Sequence, residues 1–266
     1  MQSKRLYIFM KMAQKILPFY IICFILFLRT ILINIYIKYK FNISVKNLTN
    51  KLIIYNYKKN NKTIVIINGG GLFSDCCTDA IMVNNLLPKL INYNIVVIKY
   101  DLFTKYNKVI KDVIDNFKIL LTYNFNIKVF IGNSIGATLI LDLLNKFKQF
   151  TKEKLILISP VVNYNIKYNK NFNKDYIDYN YYYFIKNKYF DNKIQIDYKS
   201  LPNTLIILGT DEIFYYDIIN FYKKCKENTE IYYIKNGGHS EYIIYGLCNM
   251  CKINNVTNKI INFINK

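Results

Sequence analysis

The sequence predicts an α/β fold built on a doubly wound, mostly parallel β-sheet. Short runs rich in Ile and Val, a composition typical of buried strands, alternate with segments whose apolar residues recur at helical spacing. In the middle of the chain one such run turns directly into a helix through Gly-Asn-Ser-Ile-Gly, and three consecutive glycines close an earlier run. The chain of 266 residues, 52% of them apolar, is long enough for one sizeable domain and short for two.

The individual elements follow in order from residue 51 to the C-terminus. β-branched and aromatic residues predict strands over residues 51–57, 63–67, 94–100, 129–131, 154–159, 204–208 and 230–234. Apolar residues at helical spacing predict helices over residues 78–91, 107–121, 139–147 and 256–264, the first of them bent at Pro88. Because strands and helices alternate, most neighbouring strands should be parallel.

Two segments depart from this alternation and define the domain organisation. Residues 1–40 comprise a basic N-terminus followed by a long apolar run, and residues 41–266 form the predicted α/β domain. Within that domain, residues 163–200 are rich in Tyr, Asn and Lys and show no clean period. We interpret residues 163–200 as an insertion that lies over the sheet.

The apolar run over residues 16–37 is long enough to cross a bilayer, and no small-residue cleavage site follows it. Arg29 opposes insertion by about 3 kcal/mol at the centre of a helix, whereas each Leu, Ile or Phe favours it by roughly 0.5 kcal/mol. The many apolar residues outweigh the one arginine. We therefore expect an uncleaved anchor in a membrane of the endoplasmic-reticulum type, in either orientation, with a buried or interfacial helix as the alternative.

The formal net charge of +20 raises the question of a nucleic-acid partner. Nearly all the basic residues are lysines, and they are scattered without a stripe or an RNA-binding motif. Asn, Ile, Lys and Tyr, which share AT-rich codons, dominate the chain, so the charge reflects nucleotide bias and we expect no nucleic acid. A lone Cys248-x-x-Cys251 lacks the second pair that a zinc site needs, so we expect no metal.

The turn at Ser134 has the pattern of a nucleophile elbow. A Gly-x-Ser-x-Gly sequence between a strand and a helix holds the serine in a strained conformation at the edge of a sheet, with small residues two before and two after it. The flanking strand and helix distinguish this pattern from a chance loop. Ser134 is therefore our candidate nucleophile.

A serine hydroxyl needs a base to take its proton, and the chain contains a single histidine, His239. It follows the last predicted strand, and residues just beyond parallel strands face the functional crevice of such sheets. Asp211 follows the preceding strand at the same edge and is our candidate for the carboxylate that orients the imidazole, with Glu212 and Asp217 as alternatives. The order Ser, Asp, His is the one typical of α/β-hydrolases.

Acyl transfer also needs donors for a tetrahedral oxyanion. Residues 68–71, Asn-Gly-Gly-Gly, close an early strand, and glycines let backbone N–H groups approach a ligand closely. The N–H of Ile135, directly after the candidate nucleophile, would add a donor. A phosphate-binding loop is the alternative, but neither Lys-Ser/Thr nor Gly-x-Gly-x-x-Gly follows these glycines.

From residue 64 to its C-terminus, the chain resembles the hormone-sensitive-lipase-like esterases of the α/β-hydrolase superfamily, including membrane-anchored arylacetamide and steryl-acetate deacetylases. Asn-Gly-Gly-Gly matches that family's HGGG, residues 132–136 match its GDSAG, and Asp211 and His239 match its remaining triad members. The resemblance implies a carboxylic-ester substrate, no cofactor, a cap over residues 163–200, and an oxyanion hole from Gly70, Gly71 and Ile135. Asn68 and Asn133 depart from the family's His and Asp, which affects rate and specificity rather than reaction class.

These observations predict a serine-dependent hydrolase of carboxylic esters, with a small hydrophobic ester or a lipid as its partner. Four aromatic residues of the insertion are candidates for the wall of its substrate pocket: Tyr181, Tyr182, Tyr183 and Phe184. A lipase or an amidase on the same scaffold is one alternative. A catalytically silent fold that serves as a membrane-associated binding protein is the other, although an intact triad speaks against it.

Overall fold

The computed structural model describes residues 44–59, 61–72, 86, 89–150, 152–166, 168–175, 177, 179–190, 201–240 and 250–266. The predicted membrane anchor over residues 16–37 and most of the helix predicted over residues 78–91 lie outside the described residues. Across the part of the chain that is described, no helix is both long and apolar enough to span a membrane.

The described strands form one eight-stranded sheet. In chain order they are β1 (Val45–Asn47), β2 (Leu52–Tyr55), β3 (Lys62–Ile67), β4 (Tyr93–Ile98), β5 (Asn126–Asn133), β6 (Lys154–Ile158), β7 (Thr204–Gly209) and β8 (Thr229–Ile234). Across the sheet their order is β1-β2-β4-β3-β5-β6-β7-β8. The five pairings from β4 to β8 are parallel, and β2 pairs antiparallel with both β1 and β4. The predicted mostly parallel sheet is confirmed.

In the described part of the chain, five longer helices accompany the sheet. They are α1 (Tyr106–Leu121), α2 (Ile135–Lys146), α3 (Tyr179–Tyr189), α4 (Tyr215–Lys224) and α5 (Met250–Asn265). The spacing of apolar residues predicted α1, α2 and α5. It did not predict α3, which lies inside the Tyr-rich segment at 163–200, or α4, because tyrosine and asparagine there obscure the helical period.

Apolar residues cover both faces of the sheet, as a doubly wound arrangement requires. Alternate residues along a strand point to opposite faces, so Val65 and Ile67 of β3 contribute to one cluster and Ile64 and Ile66 to the other. The first cluster includes buried residues of α1 and α2. The second contains the apolar side of α5, which comprises Val256, Ile260, Phe263 and Ile264. Because the strands from β3 to β8 run parallel, their C-terminal ends lie at one edge of the sheet, where the loops after β3, β5, β6, β7 and β8 meet.

Candidate active site

Ser134 lies between β5 and α2 in a backbone conformation that L-residues rarely adopt, with φ 52° and ψ −122°. Two glycines make this turn possible. A Cβ on Gly132 would lie 2.4 Å from the Cα of Ala137, and one on Gly136 would lie 2.2 Å from the carbonyl oxygen of Ile67. The structure therefore explains the spacing of the Gly-x-Ser-x-Gly sequence, since strand and helix close on each other around the serine.

The structure brings Ser134 and His239 together. Ser134 Oγ lies 2.7 Å from His239 Nε2, and both side chains are buried. The histidine follows β8 on a loop that packs tightly against the end of β7, because a Cβ on Gly209 would lie 2.2 Å from the carbonyl oxygen of Gly237. The ring of Phe214 makes an edge contact with the imidazole at a centroid distance of 5.0 Å. The only histidine of the chain is thus held at hydrogen-bond distance from the candidate nucleophile.

Glu212 supplies the carboxylate behind the histidine. Its Oε1 lies 3.9 Å from His239 Nδ1, and its side chain is fully buried. Its Oε2 accepts hydrogen bonds from the Ser159 hydroxyl at 2.7 Å and from the Gly209 N–H at 3.0 Å. Within the described structure, Glu212 Oε1 and His239 Nδ1 are both buried without a hydrogen-bond partner. The two atoms are complementary, and closing the gap between them by about 1 Å would form the hydrogen bond that each lacks.

Asp211, the carboxylate favoured by the sequence analysis, lies elsewhere. Its Oδ1 accepts from Lys174 Nζ at 3.2 Å, and its side chain is partly exposed. The third candidate, Asp217, accepts a hydrogen bond from Asn163 Nδ2 at 2.7 Å. The carboxylate that faces the histidine is therefore that of Glu212 and not that of Asp211. The turn after β7 directs these two neighbouring side chains differently, one inward and one towards a surface lysine.

The glycine loop after β3 lies directly beside the serine. A Cβ on Gly69 would be 2.8 Å from Ser134 Cβ, and Gly70 and Gly71 have φ values of 116° and 64° that suit glycine. The Tyr100 hydroxyl lies 3.0 Å from the carbonyl oxygens of both Asn68 and Gly69. In a trans peptide the N–H points opposite to the C=O. The N–H groups of Gly69 and Gly70 therefore point away from the tyrosine.

Comparison with known proteins identifies the fold of the chain. By sequence, the chain matches none of the family models and none of the curated proteins. Among solved structures, it is similar to a hormone-sensitive lipase from a metagenome library, with a TM-score of 0.74 and 16% identity over 99% of both chains. The protein has the α/β-hydrolase fold.

Two further solved structures show the same similarity. An esterase of Pyrobaculum calidifontis aligns with a TM-score of 0.73 and 12% identity, over 94% of this chain and 93% of that one. Carboxyl esterase 2 of the mycorrhizal fungus Tuber melanosporum aligns with a TM-score of 0.72 and 14% identity, over 85% of this chain and 87% of that one. The α/β-hydrolase fold that the sequence resemblance implied is confirmed by these comparisons.

Within this α/β-hydrolase fold, a hydrogen-bonded chain that the sequence did not predict connects the Glu212 carboxylate to the turn at Ser134. The Ser240 N–H donates to Ser159 Oγ at 2.9 Å, and the Ser240 hydroxyl donates to Asn133 Oδ1 at 2.9 Å. Ser159 in turn donates to Glu212. Both serines have positive φ, 44° at Ser159 and 54° at Ser240. Their positions, after β6 and directly after His239, are the signal that could have found them.

The four predicted pocket residues lie on α3, but they do not share one face. Tyr182 is buried, and its ring makes an edge contact with Phe214 at 5.7 Å, next to the histidine. Tyr183 and Phe184 are about half exposed and line a shallow surface depression with Asn180, Asn187 and Lys188. Only the backbone of Tyr181 is described. Successive helical residues are rotated by about 100°, so one short helix does not direct all four rings at one pocket.

The last feature of the site is the arrangement of side chains that could bind a metal ion. In the described part of the chain, no group of three or more His, Cys, Asp or Glu side chains is arranged to hold a metal ion. The chemistry available to Ser134, His239 and Glu212 is nucleophilic attack with proton transfer.

Proposed function

We propose that this protein is a serine-dependent hydrolase of carboxylic esters. The observation that supports it most strongly is the 2.7 Å separation of Ser134 Oγ and His239 Nε2 at a strained strand-to-helix turn. A hydroxyl at this distance from an imidazole nitrogen is the arrangement that activates serine for attack on an acyl carbon. The buried carboxylate of Glu212 and the adjoining glycine loop supply the remaining parts of such a site.

The proposed reaction uses the protons that this geometry provides. For Nε2 of His239 to accept the serine proton, Nδ1 must carry a hydrogen, and that hydrogen faces Glu212 Oε1. Ser134 Oγ then bonds to the acyl carbon as its proton passes to His239, and the proton moves on to the leaving alcohol. Water repeats the cycle on the acyl-enzyme. Glu212 orients the imidazole and stabilises its cationic form.

The oxyanion of each tetrahedral intermediate would be bound by backbone N–H groups. Ile135 is the first residue of α2, and the first N–H groups of a helix have no partner within the helix. The glycine loop contributes further donors, for which Gly70 and Gly71 remain the predicted residues. Two donors aimed at a developing oxyanion contribute a large part of catalysis in such enzymes.

A hydrophobic acyl or alcohol group is the proposed substrate preference. Phe214 packs on the histidine ring and Tyr182 packs on Phe214, which gives the site an aromatic side. Both residues belong to the main apolar cluster, and Tyr182 comes from the segment at 163–200 that we propose as a cap. Aromatic side chains bury large apolar areas and suit the wall of such a pocket.

A covalent probe tests the hydrolase proposal. A fluorophosphonate should label the purified protein, and the label should disappear in Ser134→Ala, which removes the nucleophile and leaves the turn intact. Ser44→Ala, at an exposed position before β1, is the matched control and should be labelled like the wild type. Labelling that survives in Ser134→Ala, or a wild-type protein that neither binds the probe nor hydrolyses p-nitrophenyl acetate, would overturn the proposal.

We further propose that residues 16–37 anchor the protein in a membrane of the endoplasmic-reticulum type. Their apolar length supports it. After alkaline carbonate extraction, the full-length chain should remain in the membrane pellet, whereas a chain of residues 41–266 should be released. Recovery of the full-length chain in the supernatant would refute the anchor and leave the hydrolase proposal unaffected.

A further inference from the structure

Asp175 is a buried carboxylate beside the site that the proposed mechanism does not use. It lies in the segment between β6 and β7, just after the short 3-10 helix Lys170–Asn173, and its side chain is inaccessible to solvent. One oxygen, Oδ2, accepts from two backbone donors, the Ile213 N–H at 2.8 Å and the His239 N–H at 3.1 Å. The other oxygen accepts from the Ile177 N–H at 3.2 Å.

The two donors to Oδ2 belong to the two loops that carry the base and its carboxylate. Ile213 directly follows Glu212, and His239 is the base itself. A single oxygen atom therefore joins the loop after β7 to the loop after β8. The backbone also links these loops nearer the strand ends, where the Asp211 N–H donates to the Gly237 carbonyl oxygen at 2.8 Å, and Asp175 extends the link to Ile213 and His239.

Neighbouring side chains dock the same segment onto the Glu212 loop. Asn171 Nδ2 donates to the Glu212 carbonyl oxygen at 2.9 Å, and Asn169 Nδ2 donates to the Ile213 carbonyl oxygen at 3.2 Å. The Asp175 N–H donates to the Asn171 carbonyl oxygen at 2.7 Å, which fixes the carboxylate to the same turn. Asp175 is thus held both by its own turn and by the loop that carries Glu212.

The charge of Asp175 acts on the same groups. Burial raises its pKa to about 6, and the nearby His239 and the backbone donors Ile213 and Ile177 hold it from rising further, while the like charge of Glu212 raises it. Among the other charged groups nearby, Lys174 and Asp211 pair with each other, and Lys235 lies in the loop after β8. Above about pH 6 the buried carboxyl of Asp175 is therefore ionised, and its negative charge acts on the nearby His239. A negative charge in a buried environment favours a nearby cation.

We infer that Asp175 is a positioning residue of the active site, which holds the Glu212 and His239 loops in register and stabilises the imidazolium that forms as Ser134 attacks. This inference rests on the proposed hydrolase function. It also gives the segment at 163–200 a catalytic purpose beyond covering the substrate, since the segment supplies the carboxylate that locks the two loops.

Two substitutions separate position from charge. Asp175→Ala removes the acceptor, and Asp175→Asn keeps an acceptor oxygen while removing the charge. Asp142→Asn is the matched control, because Asp142 is also a carboxylate whose pKa burial raises, but it accepts from Tyr106 farther along α2. For each full-length variant, kcat and KM are measured on p-nitrophenyl acetate. Amide hydrogen exchange is measured over residues 210–215 and 234–240.

Asp175→Ala should lower kcat by about 10- to 100-fold, the effect of one to two hydrogen bonds to a charged group, with KM little changed and faster exchange at both loops. Asp175→Asn should lower kcat while the amides stay protected. Asp142→Asn should match the wild type in kcat. Unchanged exchange in Asp175→Ala would overturn the positioning role, and wild-type kcat in Asp175→Asn would overturn the charge role. A wild-type protein without hydrolysis or fluorophosphonate labelling would instead overturn the hydrolase proposal.

Discussion

The Ser159 hydroxyl donates a 2.7 Å hydrogen bond to Glu212 Oε2, and this contact decides which way the carboxylate presents its other oxygen. With Oε2 bound by Ser159 and by the Gly209 N–H, Oε1 faces His239 Nδ1. Ser159 is itself fixed by the Ser240 N–H, one residue beyond the histidine. The carboxylate and the imidazole are thus oriented by one connected set of hydrogen bonds.

The first prediction distinguishes the two neighbouring carboxylates after β7. Glu212→Gln should lower kcat/KM by roughly 10³- to 10⁴-fold, because a neutral amide no longer orients the imidazole or stabilises its cation. Asp211→Asn is the matched change one residue earlier. It should alter kcat/KM only a few-fold, because it removes a surface ion pair with Lys174. Steady-state kinetics on one ester measures both effects. A larger loss of kcat/KM in Asp211→Asn than in Glu212→Gln would identify Asp211 as the carboxylate that orients the histidine.

The contrast between these two residues shows how far the sequence could lead. The runs of Ile and Val identified the parallel strands, and the glycine spacing around Ser134 identified a turn whose close contacts the structure contains. His239 followed from being the only histidine. The choice between Asp211 and Glu212 could not follow, because it depends on the φ and ψ angles of a turn that places one side chain inward and the next outward.

The sequence also could not predict residues that contact backbone groups far away along the chain. Asp175 meets His239 across 64 positions of the chain, and Tyr100 meets Asn68 across 32. No local pattern links such pairs, since the contact exists only after β3, β4, β7 and β8 have paired. The helix in the segment at 163–200 could not be predicted either, because tyrosines occupy both the buried and the exposed faces of α3.

The second prediction concerns the glycine loop. Tyr100→Phe removes the hydroxyl that holds the carbonyl groups of Asn68 and Gly69, so the N–H groups of the loop lose their fixed direction. We expect kcat to fall about tenfold with little change in KM, the scale of one lost hydrogen bond. Tyr106→Phe is the control, because it removes a buried hydroxyl that donates to Asp142 at 2.6 Å. An equal loss of kcat in both variants would mean that the effect is a general loss of packing.

The third prediction is a pH dependence of stability at Asp175. The folded protein keeps a proton on this carboxyl up to about pH 6, whereas an unperturbed Asp loses it near pH 3.8. Because the folded state binds more protons in this window, its free energy of unfolding should fall as pH rises from about 4 to about 7. Relative to Asp175→Asn, the wild-type protein should lose about 3 kcal/mol of that free energy.

Urea unfolding of both proteins at a series of pH values measures this difference. The curves should separate through pH 4 to 7 and run parallel above it, where Asp175 is ionised in both states. A constant difference across the whole range would show that burial does not raise the pKa of Asp175. If the prediction holds, the protein keeps a destabilising charge at neutral pH, as a role in stabilising the imidazolium requires.

The last prediction concerns the substrate and uses two adjacent tyrosines of α3. Tyr182 is buried against Phe214, which contacts the histidine, whereas Tyr183 is about half exposed on another side of the helix. An apolar pocket gains about 0.8 kcal/mol per buried CH₂. For p-nitrophenyl esters of increasing acyl length, kcat/KM of the wild-type enzyme should therefore rise several-fold per two carbons and fall once the pocket is full.

Tyr182→Ala should flatten this dependence on acyl length while acetate hydrolysis persists, because the change enlarges the aromatic side of the pocket without touching Ser134 or His239. Tyr183→Ala should leave the profile as it is in the wild type. Thermal unfolding of both variants separates a lost pocket wall from a lost fold, since truncating a buried aromatic residue costs about 3–5 kcal/mol. A flat wild-type profile, or equal flattening by the two substitutions, would remove Tyr182 from the pocket and leave the hydrolytic residues in place.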